Sequence, residues 1–409
     1  MNRRVVVTGM AGISPLGNDW KTIQQKLNSY TNAIKYMPDW NDYIGLHTRL
    51  AAPAAEFMLS ERFTRKTMRG MGRVALMSAI ATESALLHAN LLDSPLLSSG
   101  TLGIAYGSST GTPQAIGAFN TMIIDKNTKN INATTYIKMM PHTAPVNIGV
   151  FFGITGRIMT TSSACTSGSQ GIGYAYETIR SGRQNIMVAG GAEELCATEA
   201  AVFDTLYATS VRNDTPHATP SPFDVDRDGL VIGEGAGTLI LEEYEHARAR
   251  GAKMYAELVG FGTNSDGCHV TNPNAKTMQI AIELALKDAD IPASAISYIN
   301  AHGTGTTQGD IAESHATANV FSNKTPISSL KSYMGHTLGA CGALEAWLSI
   351  EMMNNKWFSP TLNLKKLDPL CAECDYITDA GRNIDGEYIM SNNFAFGGIN
   401  TSLIFKKIG

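Results

Sequence analysis

Thr161-Ser-Ser-Ala-Cys-Thr-Ser-Gly-Ser169 is the stretch that decides how this chain is read. It places one cysteine, Cys165, among small residues and directly before a run with helical periodicity that begins at Ser167. The pattern predicts a strand, a tight turn and a helix, with the cysteine at the helix N-terminus. The helix dipole and the free N–H groups there favour a thiolate and can hold an oxyanion. We therefore predict that Cys165 is a nucleophile; the alternative is a buried structural cysteine.

The rest of the sequence alternates short β-rich runs with longer helical runs, which predicts α/β layers around a mostly parallel sheet. Several strand runs are continuously apolar, as in strands buried on both faces. The predicted strands are Arg4–Thr8, Leu102–Tyr106, Asn185–Ala189, Gly237–Leu241, Tyr255–Gly260, Ile296–Asn300, Tyr388–Ser391 and Thr401–Phe405. The predicted helices are Met71–Ala89, Ser167–Arg180, Glu243–Arg250, Ala275–Asp288, Asp310–Phe321 and Ala340–Asn354. The Pro- and Asp-rich stretch Arg212–Asp228 predicts a long functional loop.

The composition is that of a globular protein. The chain has 409 residues, of which 44% are hydrophobic and 17% charged, and its formal net charge is −4. These values exclude a disordered chain and disfavour a nucleic-acid binder, which needs a basic excess. No apolar run approaches the roughly 18 residues that span a bilayer, so we expect no membrane association. Without an export signal, we expect a cytoplasmic protein whose six cysteines are thiols rather than a disulfide framework.

Two histidines lie in glycine-rich turns. His302 follows the predicted strand Ile296–Asn300, at the carboxyl end where open α/β sheets bind ligands, and Thr304 and Thr306 add hydroxyl groups beside it. His336 lies just before a predicted helix. Each could take part in catalysis or could be a capping or core histidine, and the motifs alone leave both interpretations open.

Three further residues stand out around these turns. Lys331 and Glu345 bracket the second histidine and could pair with each other, either within a site or as a surface ion pair of little consequence. Phe396-Gly-Gly398 predicts a turn between two strands, which can swing an aromatic ring and supply a backbone N–H. The alternative for that turn is a simple hairpin or bulge.

No motif points to a metal or a nucleotide. Cys371 and Cys374 form a lone CxxC without a partner pair, which argues against zinc. The glycines of 233–237 precede a strand, which is the wrong order for a dinucleotide fingerprint, and no P-loop occurs. We therefore expect neither a metal nor a cofactor.

Together these segments resemble the β-ketoacyl-acyl-carrier-protein (ACP) synthase II family, the elongating ketosynthases of thiolase fold. The resemblance covers essentially the whole chain, with four separated motifs in the family's order. It implies a thiolase-like five-layered α-β-α-β-α sandwich of two similar halves, here residues 1–250 and 251–409. It also implies that Cys165 is the acylated nucleophile and that His302 and His336 complete a Cys-His-His triad.

The resemblance implies roles for other residues and for partners. Lys331 and Glu345 would be a supporting charged pair, and Phe396 a gate in front of the acyl pocket. The implied substrate-binding residues are Thr304, Thr306, Thr110, Thr271 and His269. The implied contacts to an acidic carrier protein are Arg65, Lys66 and Arg69, and separately Arg212. The first three belong, with Arg62, to a basic cluster before the helix predicted at residue 71, whose alternative is a solvated charged face. The family needs no metal or redox cofactor, since its acyl groups ride on the phosphopantetheine of ACP.

The implied reaction is a decarboxylative Claisen condensation. An acyl group moves to Cys165, malonyl-ACP loses carbon dioxide on the two histidines, and the chain leaves two carbons longer as a β-ketoacyl thioester. Such enzymes are dimers, so we expect a homodimer or a heterodimer with a cysteine-lacking chain-length factor.

Departures from the family's usual pattern affect the substrate rather than the chemistry. Thr110 replaces a bulkier aliphatic residue at the expected pocket wall, and the segments 135–143 and 392–396 look closer to ketosynthases of aryl-polyene clusters. Fatty-acid, aryl-polyene and related polyketide synthesis therefore all stay open. The alternatives to a ketosynthase are a thiolase-type CoA acyltransferase, which needs a second C-terminal cysteine, and a non-catalytic chain-length-factor scaffold, which lacks a cysteine at position 165.

Overall fold

In a computed structural model that describes residues 3–322 and 324–408, apolar runs form the strands of one 11-stranded sheet, and shorter strands form two small sheets of three and two strands. Every residue of the first strand is buried. The strands are β1 (Val5–Ile13), β2 (Lys35–Tyr36), β3 (Leu50–Ala52), β4 (Leu102–Gly107), β5 (Ile158–Thr160), β6 (Ile186–Glu193), β7 (Ile232–Gly233), β8 (Gly235–Glu243), β9 (Ala256–Ser265), β10 (Ile296–Asn300), β11 (Pro326–Ser328), β12 (Trp357–Phe358), β13 (Asp375–Tyr376), β14 (Arg382–Asn383), β15 (Tyr388–Ala395) and β16 (Ile399–Lys406). The α-helices are α1 (Trp20–Asn28), α2 (Arg73–His88), α3 (Pro113–Asp125), α4 (Ala133–Met139), α5 (Thr143–Phe152), α6 (Ser167–Arg180), α7 (Ala197–Asp204), α8 (Tyr244–Ala249), α9 (Ala275–Ala289), α10 (Thr307–Phe321), α11 (Lys331–Met334) and α12 (Cys341–Asn354).

The large sheet is built from two halves with the same topology. In the first half the strand order is β1-β8-β6-β4-β5, and in the second half it is β9-β16-β15-β10-β11, with β13 added at the edge. Going outward from β1 or from β9, each half has two antiparallel pairs followed by two parallel pairs. The antiparallel pair β1–β9 joins the halves. This repeat is the duplication that the resemblance implied.

Helices form the other layers. The buried helices α6 and α12 pack against each other between the half-sheets, and α12 contacts both β8 and β15. On the outside, α2 packs on β1 and β8, while α9 packs on β9 and β16. The order α2, first half-sheet, α6 with α12, second half-sheet, α9 gives the five α-β-α-β-α layers. None of the helices in the described residues is both long and apolar enough to cross a membrane.

The prediction of a mostly parallel sheet is wrong, because each half mixes both orientations. The strands β15 and β16 show why: only residues 396–398 separate them, and two strands joined so closely must run antiparallel. Alternation of strand-like and helix-like runs does not distinguish such a hairpin from a helical crossover.

The predicted strands and helices are all present, and several strands run further than predicted because they continue through glycines. A Cβ at Gly190 of β6 would lie 2.0 Å from the carbonyl oxygen of Gly237 on the facing strand. In β1, a Cβ at Gly9 would lie 2.2 Å from the carbonyl oxygen of Ala85 in α2. The glycines therefore allow close packing of neighbouring backbones. The segment 212–228 is irregular apart from a 3-10 turn at Pro216–Ala218 and an isolated β-bridge between Asp224 and Leu367, which confirms the predicted loop; its function stays a prediction.

Candidate active site

Cys165 lies in a 3-10 turn, Ala164–Thr166, that leads directly into α6. Ala164 has a φ of 50°, which is an unfavourable backbone conformation for a residue with a side chain. The Ser167 hydroxyl donates a hydrogen bond to the Ala164 carbonyl at 2.7 Å, and it accepts one from the Ser163 N–H at 3.0 Å. The serine therefore holds the strained turn that presents the cysteine.

Burial dominates the chemistry of the thiol. It raises the pKa of Cys165 to about 12, while the charge of Lys331 and the backbone N–H groups of Phe396 and of Cys165 itself act in the opposite direction. The helix terminus alone predicted a thiolate, but the side chain is 4% exposed and rests as a thiol. The two N–H groups that face the sulfur are also the donors expected for an oxyanion on a carbonyl carbon attached there.

His336 faces the sulfur with its protonated ring nitrogen. Its Nε2 lies 3.0 Å from the Cys165 Sγ. The Leu338 backbone N–H donates to Nδ1 at 3.3 Å, so in the neutral ring Nδ1 is the acceptor and Nε2 carries the proton. The backbone thus selects the tautomer that makes His336 a hydrogen-bond donor toward the cysteine.

His302 approaches the same point from the loop after β10. Its ring lies edge-on to the His336 ring, with centroids 5.0 Å apart. The side-chain donor atoms of the two histidines and of Cys165 all lie within 4.8 Å of one another. The loop is held by Glu313, whose carboxylate oxygens accept hydrogen bonds from the backbone N–H groups of His302 at 2.7 Å and Gly303 at 2.6 Å. The structure therefore brings the three predicted triad residues together.

Both histidines are neutral. Burial, and then the positive charge of Lys331, lower the pKa of each ring well below its usual range, and His336 lowers that of His302 further. Neutral rings can donate through N–H without adding charge to the site. The same three side chains are of a kind that binds zinc, but a metal at His336 would first have to displace the Nε2 proton.

Lys331 and Glu345 form a fully buried ion pair beneath the histidines rather than a surface pair. Burial alone would lower the pKa of Lys331, but the adjacent Glu345 carboxylate outweighs it and keeps the ammonium charged. Asn393 donates to Glu345 Oε2 at 2.7 Å, and Asn300 lies 3.4 Å from the same oxygen. These asparagines satisfy the acceptor that the lysine leaves free.

A cavity of about 390 Å³ leads from the surface to Cys165. Phe396 stands at its inner end, and its ring packs on Phe203 of α7 with centroids 5.0 Å apart. Besides Cys165, His302 and His336, the predicted residues that line this cavity are Thr304, Thr306, His269, Thr271 and Phe396. The hydroxyls of Thr304 and Thr306 lie 2.9 Å apart, and His269 Nδ1 accepts from the Thr271 N–H at 3.1 Å.

Other predicted residues lie elsewhere. Thr110 is not among the residues lining the cavity; its hydroxyl contacts Glu199. Arg65, Lys66 and Arg69 are exposed before α2. Arg212 is half-buried and is engaged within its own loop, where it donates to the Ala218 carbonyl at 3.3 Å and lies 3.5 Å from the Asp228 carboxylate.

Sequence reasoning missed the buried acids that shape the loops. Asp310 accepts from the N–H groups of Thr304 and Gly305, and Glu313 holds the turn at His302. A signal was present, since both acids sit on the first two turns of the helix that follows the histidine loop. Two further residues were missed. Glu193, at the end of β6, accepts a hydrogen bond from the Gly339 N–H at 3.0 Å, and Phe203 packs against Phe396.

Comparisons with known proteins agree with this geometry. Residues 2–247 match the family model of the β-ketoacyl synthase N-terminal domain, and residues 255–365 match that of the C-terminal domain. A 3-oxoacyl-[acyl-carrier-protein] synthase 2 of Vibrio harveyi is 36% identical over 99% of both chains. A crystal structure of a β-ketoacyl synthase from Burkholderia phymatum STM815 is 57% identical over 100% of both chains, with a TM-score of 0.98. The chain therefore belongs to the β-ketoacyl synthase family, and it is an acyltransferase of the ketosynthase type.

Two further solved structures show such proteins with partners. One, 30% identical with a TM-score of 0.88, contains a type II PKS acyl-carrier protein in complex with its ketosynthase bound to a hexaketide. The other, 28% identical with a TM-score of 0.88, is the ishigamide ketosynthase/chain length factor. Each covers 100% of both chains. Related ketosynthases thus form complexes with a carrier protein and with a chain-length factor.

Proposed function

We propose that this protein is a β-ketoacyl-ACP synthase that condenses malonyl-ACP with an acyl group held on Cys165. The observation that carries this proposal is the meeting of one buried thiol with two neutral imidazoles, whose donor atoms all lie within 4.8 Å of one another. The division of labour between the halves 1–250 and 251–409 fits it, because the first half supplies the thiol and the second supplies both imidazoles. The reaction extends the chain by two carbons in fatty-acid, aryl-polyene or related polyketide biosynthesis.

The first half-reaction loads the enzyme. The Cys165 sulfur adds to the carbonyl carbon of the acyl thioester, the carrier thiol leaves, and the thiol proton passes from cysteine to the leaving sulfur. The N–H groups of Cys165 and Phe396 stabilise the negative oxygen of the tetrahedral intermediate, because both already face the sulfur. Phe396 must shift away from Phe203 to admit the acyl chain, which makes it a gate.

The second half-reaction uses the histidines. The thioester oxygen of malonyl-ACP accepts N–H donations from His302 and His336 while the carboxylate leaves as carbon dioxide. The electron pair of the broken C–C bond forms an enolate, whose negative oxygen the two donors stabilise. The enolate carbon attacks the acyl-Cys165 carbonyl, a C–C bond forms, and the C–S bond breaks so that the cysteine sulfur leaves as a thiolate. The thiolate then takes a proton from water. Burial, together with the positive charge of Lys331, keeps both histidines neutral, as donation without added charge requires.

The cavity suits a pantetheine arm. Thr304 and Thr306 present hydroxyls along the path to Cys165, and His269 and Thr271 form the facing wall. The substrates are therefore carrier-bound, with no metal or redox cofactor in the proposed reaction. The six free cysteines fit a reducing, cytoplasmic setting.

The partners proposed are an acidic carrier protein and a second ketosynthase-fold subunit. The exposed charges of Arg65, Lys66 and Arg69 would steer the carrier, with Arg212 anchoring the neighbouring loop. The helices α3 and α4 expose large apolar side chains, which suits a subunit interface in either a homodimer or a heterodimer with a chain-length factor. The exposed residues are Ile116, Ile123, Ile124 and Tyr136.

Intact-protein mass spectrometry tests the proposal. We expect an acyl adduct on Cys165 after mixing with acyl-ACP, and its conversion to a product two carbons longer once malonyl-ACP is added. An unmodified protein with every acyl-ACP tested, or transfer to coenzyme A without decarboxylation, would contradict it.

A further inference from the structure

A pair of buried carboxyl groups, Glu193 and Glu199, lies beside the active site and has no part in the proposed mechanism. Glu193 ends β6 and is 0% exposed, and Glu199 in α7 is 5% exposed. The negative charge of Glu193 raises the pKa of Cys165, and its carboxylate binds the Gly339 N–H, three residues after His336. The pair is therefore close to the reacting groups.

Glu193 has donors enough for a full negative charge. The Ser108 hydroxyl donates to Oε1 at 2.9 Å, and the Ser109 and Gly339 N–H groups donate to Oε2 at 2.8 and 3.0 Å. The Thr110 N–H lies 3.4 Å from Oε1. This carboxylate is a structural clamp on the loop 108–112.

Glu199 has a different environment. The Thr110 hydroxyl lies 2.9 Å from Glu199 Oε1 and 3.3 Å from Glu193 Oε1, and one hydroxyl hydrogen can serve only one of these oxygens. A proton on Glu199 resolves the conflict: Glu199 donates to the Thr110 oxygen, and Thr110 donates to Glu193. Burial and the Glu193 charge, which raise the pKa of Glu199 well above its usual range, support this arrangement.

This arrangement leaves Glu199 Oε2 without a partner. Within residues 3–322 and 324–408, no hydrogen-bonding group of the protein reaches that atom, although it is buried. Buried oxygens in such surroundings are normally hydrogen-bonded. The missing partner is accordingly expected from outside the chain.

The helix register places Glu199 beyond the gate. Glu199 and Phe203 are four residues apart and share one face of α7. Phe203 contacts the gate residue Phe396, and both belong to the apolar cluster that contains Cys165 and Ala200. An acyl chain on Cys165 that passes Phe396 would run along α7 toward Glu199.

We infer that Glu199 is a specificity-determining residue that binds a hydroxyl group at the far end of the acyl chain. The inference rests on the proposed function, since it assumes acylation of Cys165. A hydroxyl suits the site because it can donate a hydrogen bond to Oε2 while Oε2 is the carbonyl oxygen of the protonated Glu199. If the proton of Glu199 moves to Oε2, the same hydroxyl can accept a hydrogen bond from it. A plain hydrocarbon end would leave Oε2 unpaired. Sites built to hydrogen-bond a substrate hydroxyl discriminate strongly against the analogue that lacks it.

Two matched substrate pairs test this inference: cinnamoyl-ACP against 4-hydroxycinnamoyl-ACP, and octanoyl-ACP against 8-hydroxyoctanoyl-ACP. The rate of Cys165 acylation is measured by intact mass for the wild-type protein, Glu199→Gln and Glu199→Leu. The control is Glu194→Gln, which alters the neighbouring, partly buried carboxyl group.

We expect the hydroxylated member of at least one pair to acylate the wild-type protein about 10-fold faster or more. Glu199→Leu should abolish this preference, Glu199→Gln should keep part of it, and Glu194→Gln should keep all of it. If Glu199→Leu does not fold, Glu199→Gln serves as the test, and we expect its preference for the hydroxylated substrate to be smaller than that of the wild-type protein. Equal rates within both pairs, or an unchanged preference in both Glu199 variants, would overturn the inference while acylation itself still supports the proposed function. No acylation by any of the four carriers would instead contradict the proposed function.

Discussion

The two halves of the sheet have loops at equivalent positions, and these loops present different side chains. The loop 108–112 follows β4, and the loop 301–306 follows β10, the equivalent strand of the second half. Buried carboxylates clamp the backbone N–H groups of both: Glu193 holds the first loop, and Asp310 with Glu313 holds the second. Buried acids therefore hold the backbones of both loops in place, while the side chains that the two loops present differ between the halves.

In the roles proposed above, the second loop serves catalysis and the first serves substrate specificity. The second loop presents His302 to the cysteine, whereas the first presents Thr110 to Glu199. One strand further out, β5 is followed by Cys165 and α6, and its counterpart β11 is followed by His336 and α12. The nucleophile and one of its donors thus occupy corresponding positions of a duplicated fold, and they meet because both halves pack around α6 and α12.

The largest effect should come from the first half, at the nucleophile. Cys165→Ala removes one sulfur from a site already lined by small residues, so the fold should persist. We expect acylation by acyl-ACP to fall by about 10³-fold or more, because no second group replaces the nucleophile. Intact mass measures the adduct, with Cys371→Ala, another buried cysteine, as the control. A Cys165→Ala protein that still forms the adduct would show that the nucleophile lies elsewhere.

The second effect should come from the ion pair beneath the histidines. Lys331→Met leaves the Glu345 charge buried without a cation, which should lower the free energy of unfolding by about 3–5 kcal/mol. Urea unfolding measures this loss. The double variant Lys331→Met with Glu345→Leu removes both charges and should recover most of the stability but none of the condensation activity. Equal stability of the single variant and the wild-type protein would mean that the pair is not buried in solution.

A smaller effect concerns the surface of the first half. Changing Arg65, Lys66 and Arg69 to Glu should lower kcat/KM for acyl-ACP about 10-fold at low salt, and added salt should shrink the difference, because exposed charges are screened. The kcat/KM of this variant for a small acyl-pantetheine thioester should be unchanged. As a control, Lys365→Glu with Lys366→Glu should leave kcat/KM for acyl-ACP unchanged. An equal loss of kcat/KM with the carrier-free substrate would show that these residues maintain the structure of the enzyme rather than bind the carrier.

The smallest effect concerns pH: protonation of the two histidines should hardly change the rate of malonyl decarboxylation near neutral pH. In the proposed mechanism the neutral histidines are the donors, and their pKa values lie well below the usual 6.5, so the rings stay neutral as the pH falls from 8 toward 6. The histidines should therefore change the rate of malonyl decarboxylation by less than about twofold over that range. Burial raises the pKa of Glu313 to about 8 and that of Asp310 to about 6, so a larger change would belong to these carboxyl groups, which hold the loop 301–306. A decline with an apparent pKa near 6.5 would show that burial and Lys331 do not depress these rings.

The sequence predicted most of the long helices and the long strands of the large sheet, but it missed the short amphipathic helix α1, and it predicted the site through its motifs. Helix α6 and strand β10 have the predicted ends. The helices α3, α4 and α5 were missed because this segment is partly exposed and mixes polar and apolar residues without one clear face. The edge strands β5 and β13 are two or three residues long, which is too short for a period to show.

The electrostatics of the site could not be predicted in the same way. Whether Lys331 and Glu345 pair at the surface or in the core depends on how α11 packs against α12, and only the fold decides that. The acids Glu193 and Glu313 look like ordinary polar residues in the sequence, yet both are buried and accept hydrogen bonds from backbone N–H groups of loops that are separated from them in the sequence. The division of the chain at residue 250 stays a prediction.

The central claim is that thiol and imidazoles serve separate half-reactions, and His302→Ala and His336→Ala test it most directly. Each variant is assayed for the acyl adduct on Cys165 by intact mass and for carbon dioxide release from malonyl-ACP, with His315→Ala, an exposed histidine, as the control. We predict that both variants still form the adduct while carbon dioxide release falls by about 10²–10³-fold, since each removes one donor to the enolate oxygen. Wild-type carbon dioxide release in either variant would contradict this account.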